Sequence, residues 1–219
     1  DFIPLFENNG FILDLDLYVF DRTCHLLRQW IDRGVNPVVI SVNLSRAYLH
    51  DFTFLGKFEE IRRKYEVPSN LIELELTETV VFENMEILTD IINLIHDLGY
   101  SCSIDDFGSG YSSLNILKNI PVDTIKIDRG FFIGENSDTV KSDTIVRSVI
   151  DLARKLKMKT VSEGIEYKDQ VEFLRDAKCD MIQGYYFSKP IPITEFEGPV
   201  IPISVIYAVP FSEIISSAV

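Results

Sequence analysis

Basic residues, cysteine and long apolar runs are all scarce in this chain, and each shortage removes a class of function. Only 21 lysines and arginines stand against 34 acidic residues, a formal net charge of −13. Phosphate backbones are met by cations, so nonspecific attraction to nucleic acid is disfavoured and no DNA partner is expected. The three cysteines, Cys24, Cys102 and Cys179, are an odd number without metal-ligand spacing. They read as buried, reduced thiols and point to a reducing, cytoplasmic compartment. No stretch has the length and uninterrupted apolarity of a membrane span, and Asp1-Phe2-Ile3-Pro4 lacks the basic region of a secretory signal. The tail from Pro199 to Val219 is apolar, but Pro202, Pro210, Ser212 and Glu213 make it a poor spanning helix. A strand-like extension, Ile203 to Val209, is expected there, with no assignable role.

What the chain does hold is a repeat of strand and helix. At 219 residues and 46% hydrophobic, it can bury one large core, and one domain is the default expectation. Six short apolar runs are separated by helix-length stretches: Val38 to Leu44, Leu71 to Thr77, Ser101 to Phe107, Thr124 to Asp128, Lys159 to Glu166 and Met181 to Phe187. Between them the apolar residues recur at helical spacing. Such patterns run from about Leu15 to Ile31, over Phe54, Leu55, Phe58 and Ile61, and from Ile87 to Leu98 with a stop at Gly99. Two more cover Val146 to Leu156, after a cap at Ser142 or Asp143, and Val171 to Ala177.

Alternating strands and helices imply parallel pairing, because parallel neighbours need a crossover connection. In an open doubly wound sheet the ligand groups would gather at one switch point, whereas here all six runs end in a polar residue. That favours a TIM-like (β/α) barrel with its site on the C-terminal face of mostly parallel strands. Such a barrel wants eight strands, so the expected domain spans 1–197 with its beginning upstream of Asp1, and 198–219 is a separate tail.

The polar residues at the strand ends are Asn43, Glu75, Asp105 with Asp106, Lys126, Glu163 and Gln183. Burying such groups costs free energy unless they are used. A lone Asp-Asp pair would read as a helix cap followed by a solvated acid; five oxygen donors on successive strand ends reverse that preference. The set contains no His or Cys, which suits Mg²⁺ or Mn²⁺ far better than Zn²⁺. An aspartate bridging two ions would give a two-metal hydrolytic site. Lys126, between Ile125 and Ile127, takes the opposite face of its strand from them and either enters the site or pairs with a structural acid such as Asp128. Gln183 hydrogen-bonds a nucleobase, a water or only the backbone. The glycines of Phe107-Gly108-Ser109-Gly110-Tyr111-Ser112-Ser113 suit a loop that folds over a ligand, though it matches neither the Walker nor the dinucleotide pattern.

These residues carry a resemblance. Asn43-Leu44-Ser45, Glu75-Leu76-Thr77-Glu78, Asp105 through Ser113, Lys126-Ile127-Asp128, Glu163-Gly164-Ile165-Glu166 and Gln183-Gly184-Tyr185 resemble, in order, the motifs of the EAL domain family of bacterial cyclic di-GMP phosphodiesterases. The resemblance runs from about Phe2 to Pro190. It implies hydrolysis of cyclic di-GMP to linear pGpG with two Mg²⁺ or Mn²⁺ ions. By position it implies Asn43, Glu75, Asp105, Asp106 and Glu163 as metal ligands, Lys126 beside the attacking water and Gln183 in the site. Glu78 resembles the glutamate that anchors the loop after Asp106, and Glu166 the second acid of its motif, at the substrate. A homodimer and attached diguanylate cyclase (GGDEF) or sensory domains are further implications, in a cytoplasmic protein or the cytoplasmic part of a membrane-anchored one.

One departure stands out. The Glu-Ala-Leu triplet of the family's first strand is absent, and Phe2 through Glu7 resembles the segment that follows it. The expectation is that the triplet lies upstream; a protein without it would instead be a non-catalytic cyclic di-GMP receptor or regulatory module.

Overall fold

A computed structural model describes residues 3–50, 53–77, 85–108, 114–132 and 139–197. Glu78, the loop from Ser109 to Ser113 and the tail from 198 onward lie outside the described residues. The described chain divides into two compact units, one up to Cys102 and one from Ser103.

The first unit opens with two helices, α1 (Ile3–Asn9) and α2 (Phe11–Asp32). Gly10, at φ 78°, breaks the helical path between them, and the Asn9 side chain accepts the Phe11 N–H at 2.9 Å. Helix α2 therefore begins four residues earlier than its apolar pattern announces. It buries Ile12, Leu15, Phe20, Cys24, Leu27 and Trp30 on one stripe and packs against β1 (Ile40–Leu44) and α3 (Phe54–Lys64). The Phe20 and Phe58 rings meet at 4.5 Å between centroids. Helix α4 (Met85–Asp97) buries Leu88, Ile91, Ile92 and Ile95 and is followed by Gly99, at φ 84°, where the sequence places the stop.

Strand β1 pairs in parallel with β2 (Ile72–Thr77), Ile40 beside Ile72 through Leu44 beside Leu76. Directly paired residues share a face, so the alternation is regular. Ile40, Val42 and Leu44 join Ile72, Leu74 and Leu76 in the core, while Ser41 and Asn43 lie beside Glu73 and Glu75 on the opposite face.

Strand β3 (Ser101–Phe107) starts in the first unit and continues into the second. There it pairs in parallel with β4 (Thr124–Ile127), β4 with β5 (Lys159–Ser162), and β5 with β6 (Met181–Ile182). The helices are α5 (Leu114–Asn119), α6 (Thr139–Lys155), α7 (Lys168–Asp176) and α8 (Ile193–Phe196). Helix α6 packs on β5.

Two expectations need correction. Strands β5 and β6 stop short of Glu166 and Phe187, because Gly164 (φ 66°) turns the chain after Glu163 and Gly184 (φ 157°) passes against the Ile165 backbone, where a Cβ would collide. Helix α6 starts at Thr139, so Ser142 and Asp143 are not its cap. The hydroxyls of Thr144 and Ser148 donate to the carbonyls of Val140 and Thr144, which lets polar residues continue the helix.

The cysteines are all free, with Cys24 and Cys102 buried and Cys179 half-buried. Among the described residues no helix is long and apolar enough to cross a membrane.

Candidate active site

In the second unit a departure from regular pairing creates the site. Ser103 lies beside Thr124 and Ile104 beside Ile125, but the next partner of β4 is shifted, Phe107 beside Ile127. Asp105 and Asp106 thus both stand opposite the single residue Lys126, a β-bulge. Asp106 takes the left-handed conformation, φ 55°, that aspartate tolerates better than most residues. On a regular strand two adjacent side chains point to opposite faces. Here the bulge brings ligand oxygens of both aspartates and of Glu163 within 4.8 Å of one another.

Glu163 reaches the cluster from just beyond β5, where its N–H donates to the Ile127 carbonyl at 3.0 Å. Lys126 shares its face with Val161 and, two residues on, Glu163. It is 3% exposed, with its ammonium 3.2 Å from Asp105 Oδ1 and 2.6 Å from Glu163 Oε1. Of the two readings of Lys126, entry into the acidic cluster is the one found, while Asp128 Oδ1 accepts the Gly130 N–H at 2.8 Å. A buried cation between carboxylates offsets their mutual repulsion.

Gln183 follows β6 as Glu163 follows β5, and its N–H donates to the Ser162 carbonyl at 2.8 Å. Its side-chain Oε1 is shielded from solvent and has no hydrogen-bond partner among the described residues. Glu166 is exposed beside the start of α7, where its N–H and that of Tyr167 both donate to Gln170 Oε1 at 3.0 Å. It is not one of the three carboxylates whose oxygens gather within 4.8 Å.

In the first unit Asn43, exposed, lies in register beside Glu75, which is 1% exposed. One pleat earlier Ser41 donates to Glu73 Oε1 at 3.0 Å. The end of β1 is held by an acid the sequence does not flag: Asp16, on α2, accepts the Ser45 N–H at 3.1 Å. Burial pushes this carboxyl up to about 7, against the lowering effect of the Ser45 bond. Asp14 and Asp16 look alike in sequence; only the spacing of Asp16 from Ile12, Leu15 and Phe20 placed it on the buried stripe.

The donor chemistry fits a hard divalent cation: three carboxylates, no sulfur or imidazole, and ligand atoms close enough for one ion to span. The family model for the EAL domain matches residues 1–190. The chain belongs to the EAL domain family. Among proteins similar to this EAL chain, the bifunctional diguanylate cyclase/cyclic di-GMP phosphodiesterase MucR of Pseudomonas aeruginosa is 37% identical over 195 residues, covering 87% of this chain and 28% of MucR. The cyclic di-GMP phosphodiesterase NbdA of the same organism is 35% identical over 196 residues, 90% of this chain and 25% of NbdA. The chain therefore spans about a quarter of the length of these curated relatives. Among solved structures, a PaMucR phosphodiesterase in complex with c-di-GMP superposes with a TM-score of 0.82 at 33% identity, covering 89% of this chain and 78% of that one. The EAL enzyme Bd1971 bound to cAMP and cyclic di-GMP gives 0.81 at 32% identity, over 89% and 54%. The expected fold class, a TIM-like α/β barrel with parallel strands, is that of the family.

Proposed function

We propose that the protein is a cyclic di-GMP phosphodiesterase that hydrolyses one phosphodiester to give linear pGpG. The observation that carries this reading is the bulge-built cluster of Asp105, Asp106 and Glu163 around the buried Lys126 ammonium. The named activities of MucR and NbdA support the substrate.

On this reading Asn43, Glu75, Asp105, Asp106 and Glu163 are the residues that would hold two Mg²⁺ or Mn²⁺ ions. Bound metal would supply Lewis acidity toward the phosphate and lower the pKa of a water. In the hydrolysis the oxygen of a water forms a new bond to phosphorus as the bond to the leaving ribose oxygen breaks, and one proton of that water passes to the leaving oxygen. Lys126 is held by Asp105 and Glu163, so its ammonium donates to the attacking water or to a phosphate oxygen without reorganising. Gln183 offers Oε1 to a donor on the substrate or on a water. Glu78 anchors the loop after Asp106, and Glu166 acts at the substrate. The protein acts in the cytoplasm, as a homodimer, joined to diguanylate cyclase or sensory domains.

Incubation of the full-length protein with cyclic di-GMP and Mn²⁺ or Mg²⁺ tests this. The expected result is pGpG release that is lost in Asp105→Ala. Binding of cyclic di-GMP without product would replace the enzyme by a receptor.

A further inference from the structure

The two acidic segments of the site share one support. Immediately after β4, Asp128 begins a tight turn, Arg129–Phe131, that it caps by accepting the Gly130 N–H at 2.8 Å. The Asp128 N–H donates to the Phe107 carbonyl at 3.2 Å, next to Asp106, while the Ile127 carbonyl receives the Glu163 N–H at 3.0 Å. The turn thus stands between the ends of β3 and β5. Its side chains then press on the residues that follow the acids on either side. The Phe131 ring lies against Gly108, two residues past Asp106, where any Cβ would overlap the ring. Arg129 lies against Gly164, one residue past Glu163, where a Cβ would fall 2.6 Å from the Arg129 Cβ. Both glycines are left-handed, at φ 98° and 66°, a conformation costly for other residues.

We propose that the Asp128–Phe131 turn is the positioning element that fixes the separation between the Asp105–Asp106 pair and Glu163, with Phe131 its principal lever. The inference rests on the metal-site reading of those carboxylates. Neither the ring nor the guanidinium has to touch substrate. The turn acts by fixing where two chains leave their strands, and ligand sites lose affinity when such support is removed. Strand β4 supplies Lys126 and, one residue after its end, the turn, so cation and support move as one piece.

Mn²⁺ binding to the full-length protein, followed by electron paramagnetic resonance alongside thermal unfolding, tests the role. Phe131→Ala is expected to weaken Mn²⁺ binding by about 10-fold or more, the loss typical of disturbed support around metal ligands. Phe131→Leu, which keeps bulk against Gly108, should stay within about threefold of wild type. Leu174→Ala, at a fully buried position of α7, supplies the control. It should lower the melting temperature without lowering Mn²⁺ affinity. Asp128→Ala, which removes only the Gly130 cap, gives a milder variant should Phe131→Ala fail to fold, and it should weaken Mn²⁺ binding in the same direction. Wild-type Mn²⁺ affinity in Phe131→Ala, or in a folded Asp128→Ala, overturns the proposal, as does equal loss in Leu174→Ala. Absence of Mn²⁺ binding by the wild-type protein contradicts the metal-site reading itself and takes the proposal with it.

Discussion

The ends of β1 and β2 in the first unit and of β3, β4 and β5 in the second solve the same problem differently. In the first, register is regular: Ser41 beside Glu73, Asn43 beside Glu75, one polar residue per strand per pleat. In the second, the ladder is broken at Asp105 and Asp106, so that one strand delivers two adjacent carboxylates to one cluster. Regular pairing allows a strand to present only every other residue to a site. A second donor from the same strand requires a bulge and a residue able to take a left-handed backbone, and that irregularity needs outside support. The first unit fastens the end of β1 with a buried, titratable acid, Asp16; the second fastens its strand ends with a capped turn and two glycines.

The largest expected effect removes the cation that the broken ladder surrounds. Lys126→Met should lower kcat for cyclic di-GMP by about 10²–10³-fold, the range for losing one preorganised electrostatic contact, whereas KM changes little. Steady-state kinetics on the full-length protein check this. A loss confined to KM would place Lys126 in ground-state binding instead.

Next comes pH, which should act on the first unit. Asp16 is raised from near 4 to about 7, so between those values the folded state holds a proton that the unfolded chain has released. The unfolded state then binds fewer protons, and stability falls as pH rises from about 4 to 7, levelling above. The group alone accounts for at most about 4 kcal/mol, three pH units at about 1.4 kcal/mol each. Urea titrations across this range should show the decline flattened in Asp16→Asn. Exchange of the Ser45 amide should quicken toward pH 7 more than that of the Glu163 amide. Equal acceleration at both would mean that Asp16 does not select the first unit.

Glu59 titrates in the opposite sense. Its hydrogen bond from Arg62, followed by that from Tyr100, holds it down to about 2, against the raising effect of burial. The stability it contributes is complete above its ordinary value near 4.5 and disappears as pH falls toward 2. Glu59→Gln should remove that acid dependence from the denaturation midpoint.

A smaller contrast tests the backbone. Asp106→Val places a β-branched side chain at φ 55° and should cost about 1–2 kcal/mol in denaturant unfolding. Asn43→Val, on a regular and exposed strand position, should stay within about 0.5 kcal/mol of wild type. Similar losses at both positions would remove the distinction between the two strand ends.

Much of this was legible in the sequence. The six runs became six strands because their interiors are apolar and their flanks are proline, glycine or polar, and parallel pairing followed from the helices between them. The ends were less legible. Nothing local distinguishes Ser142 as a helix interior from Ser142 as a cap, since the choice depends on where the chain before it goes. The acids were found by residue type, but Asp105 and Asp106 facing one way contradicts strand periodicity, and only register with β4 reveals the bulge. Support by Phe131 and Arg129 depends on Gly108 and Gly164, 23 and 35 residues away from them in sequence, a separation that no local pattern spans. Asp16 was hidden by its neighbour Asp14, an acid of the same kind on the same helix.

Anomalous diffraction from crystals of the full-length protein grown with Mn²⁺ and cyclic di-GMP tests the central claim most directly. Two manganese peaks are expected, with Asp105 and Asp106 both coordinating and Glu163 completing one of them. No peak at this cluster, or a peak coordinated by Asp105 while Asp106 points to the opposite face of β3, would contradict the account.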